Sequence, residues 1–356
     1  MSEKFSRAVS AAVLPLTDSA PHPDLLPWAL SVLGDSQVPA LTAVAGDASA
    51  RRYFRLSFTG ESFIAVESPP ASEKNAQFLA MRDVLESAGL CVPGLVAADL
   101  ERGFLLLGDL GDRLLLAELA ADTVDERYRE AFDVLQRLGA ADPADPDWPQ
   151  YDEALLREEL SRFPQWFAGR LLGTEVPPEA GWDALVRCLV DSALEQPRVL
   201  VHRDFHSRNL MPQANGALGV IDFQDAVIGP VTYDLVSLLR DCYVRWPPQQ
   251  VQSWALAYLE RLLKAQPDTE ITAARFLRWF DLMGLQRHLK VLGTFARLYL
   301  RDGKPAYLDD LPLVLRYVSE VLDAYRDSIP EVKPFAHWFE SALVPAAAAQ
   351  DWSQGR

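Results

Sequence analysis

The sequence predicts an α+β protein with a small β-rich N-terminal lobe, residues 1–107, and a larger, mainly helical lobe, residues 108–342. Three observations predict it. Short runs rich in Val, Phe, Tyr and Ile, separated by Gly-Asp and Thr-Gly turns, fill the stretch from Leu41 to Leu107. After Asp112 the apolar residues return with helical spacing. One β interruption, residues 198–223, breaks the helical part and gathers its polar residues. Residues 343–356 turn Ala-rich and then polar, and read as a flexible tail.

Residues 1–40 read as helical or irregular. Leu41–Ala45, Tyr53–Phe58 and Phe63–Val66 follow as three antiparallel strands joined at Gly46-Asp47 and Thr59-Gly60. In the second strand Phe54, Leu56 and Phe58 share one face, and Tyr53, Arg55 and Ser57 the other. With the phenylalanines toward the core, Arg55 points away from it. Asn75–Ala88 has helical spacing and stops at Gly89. Phe104–Leu107 reads as a buried strand running into Gly108-Asp109-Leu110-Gly111. Helices are expected over 113–120, 125–139, 152–168, 181–195, 232–243, 249–265, 271–299 and 312–326.

A chain of 356 residues, 49% hydrophobic and 24% charged, is long and apolar enough for a sizeable core. Its net charge of −16 argues against duplex DNA or an anionic membrane as partner, since both select basic surfaces. It does not exclude a phosphate ligand held locally. Cys91, Cys188 and Cys242 are odd in number and far apart, so a disulfide framework is not expected and a reducing compartment fits. No signal peptide or membrane-length apolar run is read. The expectation is a cytoplasmic monomer with a small-molecule partner.

The chemistry concentrates in the β interruption. An apolar strand, Val199-Leu200-Val201, runs into His202-Arg203-Asp204-Phe205-His206-Ser207-Arg208-Asn209, and a second apolar segment ends in Ile221-Asp222-Phe223. Asn215-Gly216 is a strong hairpin signal. A hairpin symmetric about it places Asn209 directly opposite Asp222, where Cβ atoms lie about 4.5–5.5 Å apart. An amide oxygen and a carboxylate so placed can share a hard cation such as Mg²⁺. Pro212 favours a four-residue loop over a two-residue one. Asp204 stands five residues before Asn209, where a carboxylate can accept a hydroxyl proton and orient the attacking oxygen. H-x-D-x-x-x-x-N followed by I-D-F is the kinase arrangement of catalytic loop and metal aspartate, and points to phosphoryl transfer.

These residues resemble the aminoglycoside phosphotransferase (choline-kinase-like) superfamily of small-molecule kinases. Phe223-Gln224-Asp225-Ala226, Gly229-Pro230, Tyr233-Asp234-Leu235, Gly46-Asp47-Ala48-Ser49 and Leu285-Gln286-Arg287-His288-Leu289-Lys290 are most similar to the anomeric sugar kinases of bacterial cell-wall recycling. That group phosphorylates N-acetylmuramate and N-acetylglucosamine at C1. The resemblance spans roughly 41–325. It implies a protein-kinase-like two-lobe fold, ATP with Mg²⁺, and transfer of the γ-phosphoryl group to an anomeric hydroxyl. It implies Asp204 as base, with His202 and Asp234 beside it in the catalytic set, Asp234 supporting the loop from a helix start, and Asn209 and Asp222 as metal ligands. Other small hydroxyl acceptors (an aminoglycoside, choline, homoserine) stay open, as does a nucleotide-binding pseudokinase.

No G-x-x-x-x-G-K-[ST] occurs, so nucleotide contacts are expected elsewhere. Gly46, Asp47, Ala48 and Ser49 form a small-residue loop that lets backbone approach phosphates, and the resemblance gives Gly108, Asp109 and Leu110 to the adenine. Glu67 stands where kinases of this kind carry a lysine, leaving Arg52 or Arg55 to supply the cation. The basic stretch Arg275–Leu300 offers Arg287, Lys290 or Arg297 to an anionic substrate group, or else forms a solvated helix face. By resemblance Glu159, Trp166, Arg208 and His288 join Arg287 at the sugar.

Overall fold

The computed structural model of the chain describes residues 20–34, 39–44, 50–143, 145, 147–267 and 270–354. These group into two compact units, one from Met1–Val124 with Leu210–Gln224, the other from Asp125–Asn209 with Asp225–Arg356. The first unit therefore ends later than the expected boundary at 107, and it takes back a hairpin from the middle of the sequence.

The first unit is built on a five-stranded antiparallel sheet. Its strands are β1 (Ala40–Val44), β2 (Arg52–Ser57), β3 (Ser62–Glu67), β4 (Leu95–Asp99) and β5 (Phe104–Gly108), in the order β1-β2-β3-β5-β4. Alternation works as the sequence expects. Phe54, Leu56, Ala65, Phe104 and Leu106 share one face, and α1 (Leu25–Leu33) closes it with Leu25 and Ala29. Burying such a side chain stabilises by about 1.5–3 kcal/mol, which holds α1 on the sheet. α2 (Asn75–Ser87) buries Phe78, Met81 and Leu85 at helical spacing. Strand β4, Leu-Val-Ala-Ala-Asp, was not expected, because alanines carry little β signal. The stretch 113–120 contains only a short 3-10 turn, Leu115–Glu118.

In the second unit β6 (Arg198–Val201) pairs with β9 (Val227–Pro230), antiparallel. The segment between them carries β7 (Leu210–Pro212) and β8 (Leu218–Val220), which belong to the first unit. Val220 N–H donates to Cys91 C=O at 2.8 Å, and Gln213 Nε2 to Leu110 C=O at 3.0 Å.

The helices of the second unit are α3 (Val124–Ala140), α4 (Glu153–Arg162), α5 (Trp182–Leu194), α6 (Tyr233–Leu239), α7 (Pro248–Ala265), α8 (Ala273–Asp302), α9 (Leu311–Tyr325), α10 (Lys333–Trp338) and α11 (Val344–Ala348). α4 is capped by Asp152, which accepts from Leu155 N–H at 2.9 Å, and runs on as a π-helix, Phe163–Leu171. α8 is the axis of this unit. It is buried all round through Leu282–Gly293, including Gln286, Arg287, His288 and Lys290. That corrects the reading of a solvated basic face: these polar groups stay inside because partners from neighbouring elements meet them. The expected tail is also corrected. Phe335, Phe339, Leu343 and Ala347 are buried at i, i+4, i+8 and i+12, a stripe that makes 333–348 helical. No helix among the described residues is long and apolar enough to cross a membrane.

Candidate active site

In the second unit, the loop after β6 is held from below by two carboxylates. Asp234, buried in the first turn of α6, accepts from His202 N–H at 2.6 Å through one oxygen and from Arg203 N–H at 3.0 Å through the other. Asp241, also buried, accepts from both the N–H (2.9 Å) and the hydroxyl of Ser207, and its second oxygen takes Tyr243 N–H at 3.1 Å. Sequence reasoning missed Asp241. Its signal is weak, an aspartate two residues beyond α6 with no motif around it. Arg203 carries φ +74°, a conformation a non-glycine residue keeps only where its surroundings over-determine it. Its two flanking N–H bonds and the ion pair below do so.

His202 is fully buried, and its Nδ1 accepts from Asp204 N–H at 3.2 Å. Both His202 and Asp234, expected in the catalytic set, bond to the loop's backbone from the interior, and Asp234 does so from the start of α6, as expected of a loop support. Asp204 is half-buried. Burial works to raise its carboxyl, but Lys290, His206, Arg203 and Arg287 together hold it at about 2, so it is ionised at neutral pH. Asn209 N–H donates to His206 C=O (2.9 Å) and its Nδ2 to Asp204 C=O (2.9 Å). This closes the loop on itself.

Burial pushes the Asp234 carboxyl up to about 7, against the two backbone N–H bonds and Arg287, with the Asp204 charge adding to the rise. Below Asp204 lies a buried charge network. Glu159, 0% exposed, pairs with Arg203 and with Lys290 (3.2 Å), and accepts from the Tyr151 hydroxyl. Lys290 also donates to the Tyr233 hydroxyl at 3.0 Å. Burial alone would raise the Glu159 carboxyl; Lys290, Arg203 and the Tyr151 O–H bring it to about 2. Its ordinary value is 4.5, so the stability it contributes is present above that pH and is lost as pH falls through 2. Glu159→Gln should leave two buried cations under-compensated and cost about 3 kcal/mol at neutral pH. Urea unfolding over the acid range should show that deficit shrink once the pH drops below about 4.5. A deficit of constant size would mean the carboxylate charge is not what holds the pair.

Several residues expected at the sugar already have partners within the protein. Glu159 is consumed in this network. Arg287 is buried with Nη1 toward Cys242 Sγ at 3.6 Å, and His288 is buried, its ring stacked on Tyr317 at 4.8 Å and its Nε2 at 3.0 Å from Arg240 C=O. Burial first, then Arg287, holds His288 well below the usual histidine range, hence neutral. Trp166 lies half-buried on the π-helix with the Arg170 guanidinium 4.2 Å from its ring. Arg208 packs its guanidinium 3.6 Å from the Tyr243 ring centroid.

In the first unit, the hairpin register on which the expected Asn209–Asp222 opposition rested is corrected by one residue. The observed pairs are Leu210↔Val220, Met211↔Gly219 and Pro212↔Leu218. The turn explains the shift. Gly216 N–H donates to Gln213 C=O (3.1 Å) and Gln213 N–H to Ala217 C=O (2.8 Å), with Gly216 at φ +81°. This is a three-residue loop, a type I turn closed by a left-handed glycine, not a turn centred on Asn215-Gly216. An odd loop moves the register by one relative to a pairing centred on Asn215-Gly216. Asn209 and Asp222 still flank the open end of the hairpin in sequence. Asp222 has left the strand, with φ +65°, and accepts from Gln224 Nε2 at 2.7 Å. Phe223 anchors it by stacking on Phe78 of α2, centroids 5.1 Å apart.

Gly46, Asp47, Ala48 and Ser49 lie outside the described residues. Neither expected cation on β2 is free. Arg52 pairs with Glu67, its cross-strand partner, and Arg55 with Asp109 (2.5 Å) and Asp112 (2.7 Å). Asp109 is itself a brace, taking Ser62 Oγ (2.7 Å) and Gly111 N–H (2.8 Å) as well; Gly108 N–H goes to Gly94 C=O (2.7 Å), and Leu110 C=O takes Gln213. A buried cation that sequence reasoning missed is Arg51. It is 4% exposed, donates to Ser68 Oγ (2.9 Å), faces Glu73 at 3.4 Å, and lies 5.0 Å over the Phe78 ring that carries Phe223. Arg51 and Asp222 both act on the buried hydroxyl of Tyr53, which burial raises to about 12, Arg51 opposing and Asp222 adding. Alternation offered this residue, since Arg51 continues the Tyr53–Arg55 face one step before the strand.

Asp222 offers a carboxylate and Asn209 an amide oxygen, each a donor of the kind a hard cation takes. Among the described residues no group of three or more His, Cys, Asp or Glu forms a metal cage. One carboxylate with an amide oxygen, completed by phosphate oxygens and water, is how Mg²⁺ is usually held.

The profile of the phosphotransferase enzyme family matches residues 40–280. An N-acetylmuramate/N-acetylglucosamine kinase of Pseudomonas putida is 47% identical over 293 residues, 80% of this chain and 85% of that protein. Another of the same name from Pseudomonas aeruginosa is 43% identical over 311 residues, 86% of this chain and 91% of that protein. Among solved structures, choline kinase LicA from Streptococcus pneumoniae superposes with a TM-score of 0.60 at 14% identity, over 83% of this chain and 98% of that one. The ADP-bound aminoglycoside phosphotransferase APH(2'')-Ib gives 0.56 at 15% identity, over 84% and 98%. These two likenesses establish the kinase-like fold.

Proposed function

The chain belongs to the phosphotransferase enzyme family, and from that premise we propose that it is an ATP-dependent kinase of an N-acetylated amino sugar. The acceptor is N-acetylmuramate, N-acetylglucosamine or both, phosphorylated at the anomeric hydroxyl. The observation that carries this is the ionised carboxylate of Asp204, on a loop held by Asp234 and Asp241, in a chain whose relatives of 43–47% identity are named for those sugars.

Asp204 accepts the proton of the attacking hydroxyl. An anomeric hydroxyl is more acidic than an ordinary alcohol, so a weakly basic carboxylate suffices to assist it. When ATP binds with a divalent metal such as Mg²⁺, Asp222 would offer it a carboxylate and Asn209 an amide oxygen, and the metal would supply neutralising charge at the phosphates. Arg51, paired to Glu73, takes the place of the lysine that Glu67 replaces. Catalysis then rests on positioning and on electrostatic stabilisation of the moving phosphoryl group.

ATP consumption measured across a panel of both sugars, an aminoglycoside, choline and homoserine tests the acceptor. Turnover is expected with the amino sugars alone. Phosphorus NMR of the product should show coupling to the anomeric proton; a 6-phosphate signal would refute C1 transfer.

A further inference from the structure

We propose that Arg208 receives a carboxylate of the acceptor, and so distinguishes N-acetylmuramate, which carries one on its lactyl ether, from N-acetylglucosamine, which does not. The proposal rests on the sugar-kinase reading above.

The cations around the loop are already engaged. Arg203 and Lys290 pair with Glu159, Arg287 is buried against Cys242, and Arg240 pairs with Asp281 at 2.5 Å. Arg208 differs. Among the described residues no carboxylate, carbonyl or hydroxyl takes a hydrogen bond from its guanidinium, which is only half-buried and lies 3.6 Å from the Tyr243 ring centroid. Stacking occupies the face of the plane and leaves the N–H donors at its edge, the geometry that meets a carboxylate in bidentate fashion.

The stack is pre-organised. Asp241 binds Ser207 N–H and hydroxyl with one oxygen and Tyr243 N–H with the other, so one buried carboxylate sets the residue before Arg208 and the residue under it. Fixing a donor before the ligand arrives lowers the cost of ordering it on binding. Position fits as well. Four residues of extended chain reach at most about 14 Å, and the Asn209 Nδ2 bond to Asp204 C=O folds this stretch into a compact turn. Asp204 would act at C1 of the ring, and the lactyl ether is borne on C3, two carbons away.

The shared chemistry is an oxyanion, and the transferring phosphoryl group is the other oxyanion that visits such a loop. The ratio of kcat/KM for N-acetylmuramate to that for N-acetylglucosamine separates them, because only the carboxylate differs between the sugars. In Arg208→Gln the ratio should fall about 10- to 100-fold, the usual weight of a hydrogen bond between charged groups. Arg208→Lys keeps the charge without the planar fork, and should retain part of the preference even if the glutamine variant folds poorly. An unchanged ratio, including an equal loss for both sugars, overturns the assignment and points to the phosphoryl group. A wild-type protein that phosphorylates neither sugar overturns the sugar-kinase reading, and this inference with it.

Discussion

Asp204→Asn should fold, bind nucleotide as the wild type does, and turn over on the order of 10²–10⁴-fold more slowly, the range for loss of a general base. The loop's own bonds explain why folding should survive. Asp204 N–H donates to His202 Nδ1, and its carbonyl accepts from Asn209 Nδ2 and from His206 N–H at 3.0 Å. All are backbone bonds, so an isosteric side chain leaves them in place. What disappears is the negative charge that four neighbouring cations hold ionised to about pH 2. Because that carboxyl titrates so low, turnover of the wild type should show no acid limb from Asp204 near neutrality. Single-turnover rates with saturating ATP, alongside nucleotide affinity, make the measurement. Near-normal turnover in the asparagine variant would remove Asp204 from the chemistry.

The second large effect is expected at Asp222. Its φ of +65° makes the choice of substitution matter. Alanine in that conformation adds backbone strain of about 1–2 kcal/mol, whereas asparagine tolerates it. Asp222→Asn therefore removes the ligand charge with little disturbance of the Phe223–Phe78 stack. A metal ion contributes several kcal/mol of charge stabilisation, so turnover should drop about 10²–10³-fold, and half-activation should need at least about tenfold more Mg²⁺. Asn209→Ala should move the Mg²⁺ requirement less, because the ligand lost is uncharged. If the Mg²⁺ titration of Asp222→Asn overlays that of the wild type, the carboxylate is not a ligand.

Much of the fold was legible in the chain because its signals are local. Four of the five strands of the N-terminal sheet follow from alternation and turn residues, and the core face of β2 follows from Phe54 and Leu56 alone. α2, α3, α5, α7, α8 and α9 come within a few residues of the stretches that helical spacing marks. β4 escaped because Ala97 and Ala98 carry no strand preference, and its pairing with β5 is a long-range choice. The order of Asp204, Asn209 and Asp222 along the chain was enough to name a phosphotransfer loop, since that motif is short and contiguous.

Other features required tertiary structure. A one-residue difference in turn type, invisible in Asn-Gly itself, decided the register of the β7–β8 hairpin. Burial decided the fate of the charges. Arg287, His288 and Lys290 look like a solvated basic face in sequence, yet α8 is enclosed on all sides, and their energies depend on Glu159, Tyr233, Tyr317 and Cys242, which are distant in the chain. Arg52 and Arg55 looked available until Glu67 and Asp109 were seen to claim them, while Arg51 became the buried cation by facing Glu73 and Phe78. The sequence by itself determined which groups can do the chemistry, because functional groups and local periodicity are properties of short segments. Only the tertiary structure decided which of those groups are charged, paired or left to meet a ligand. Desolvation and Coulomb interactions set those states, and both depend on neighbours brought together by folding.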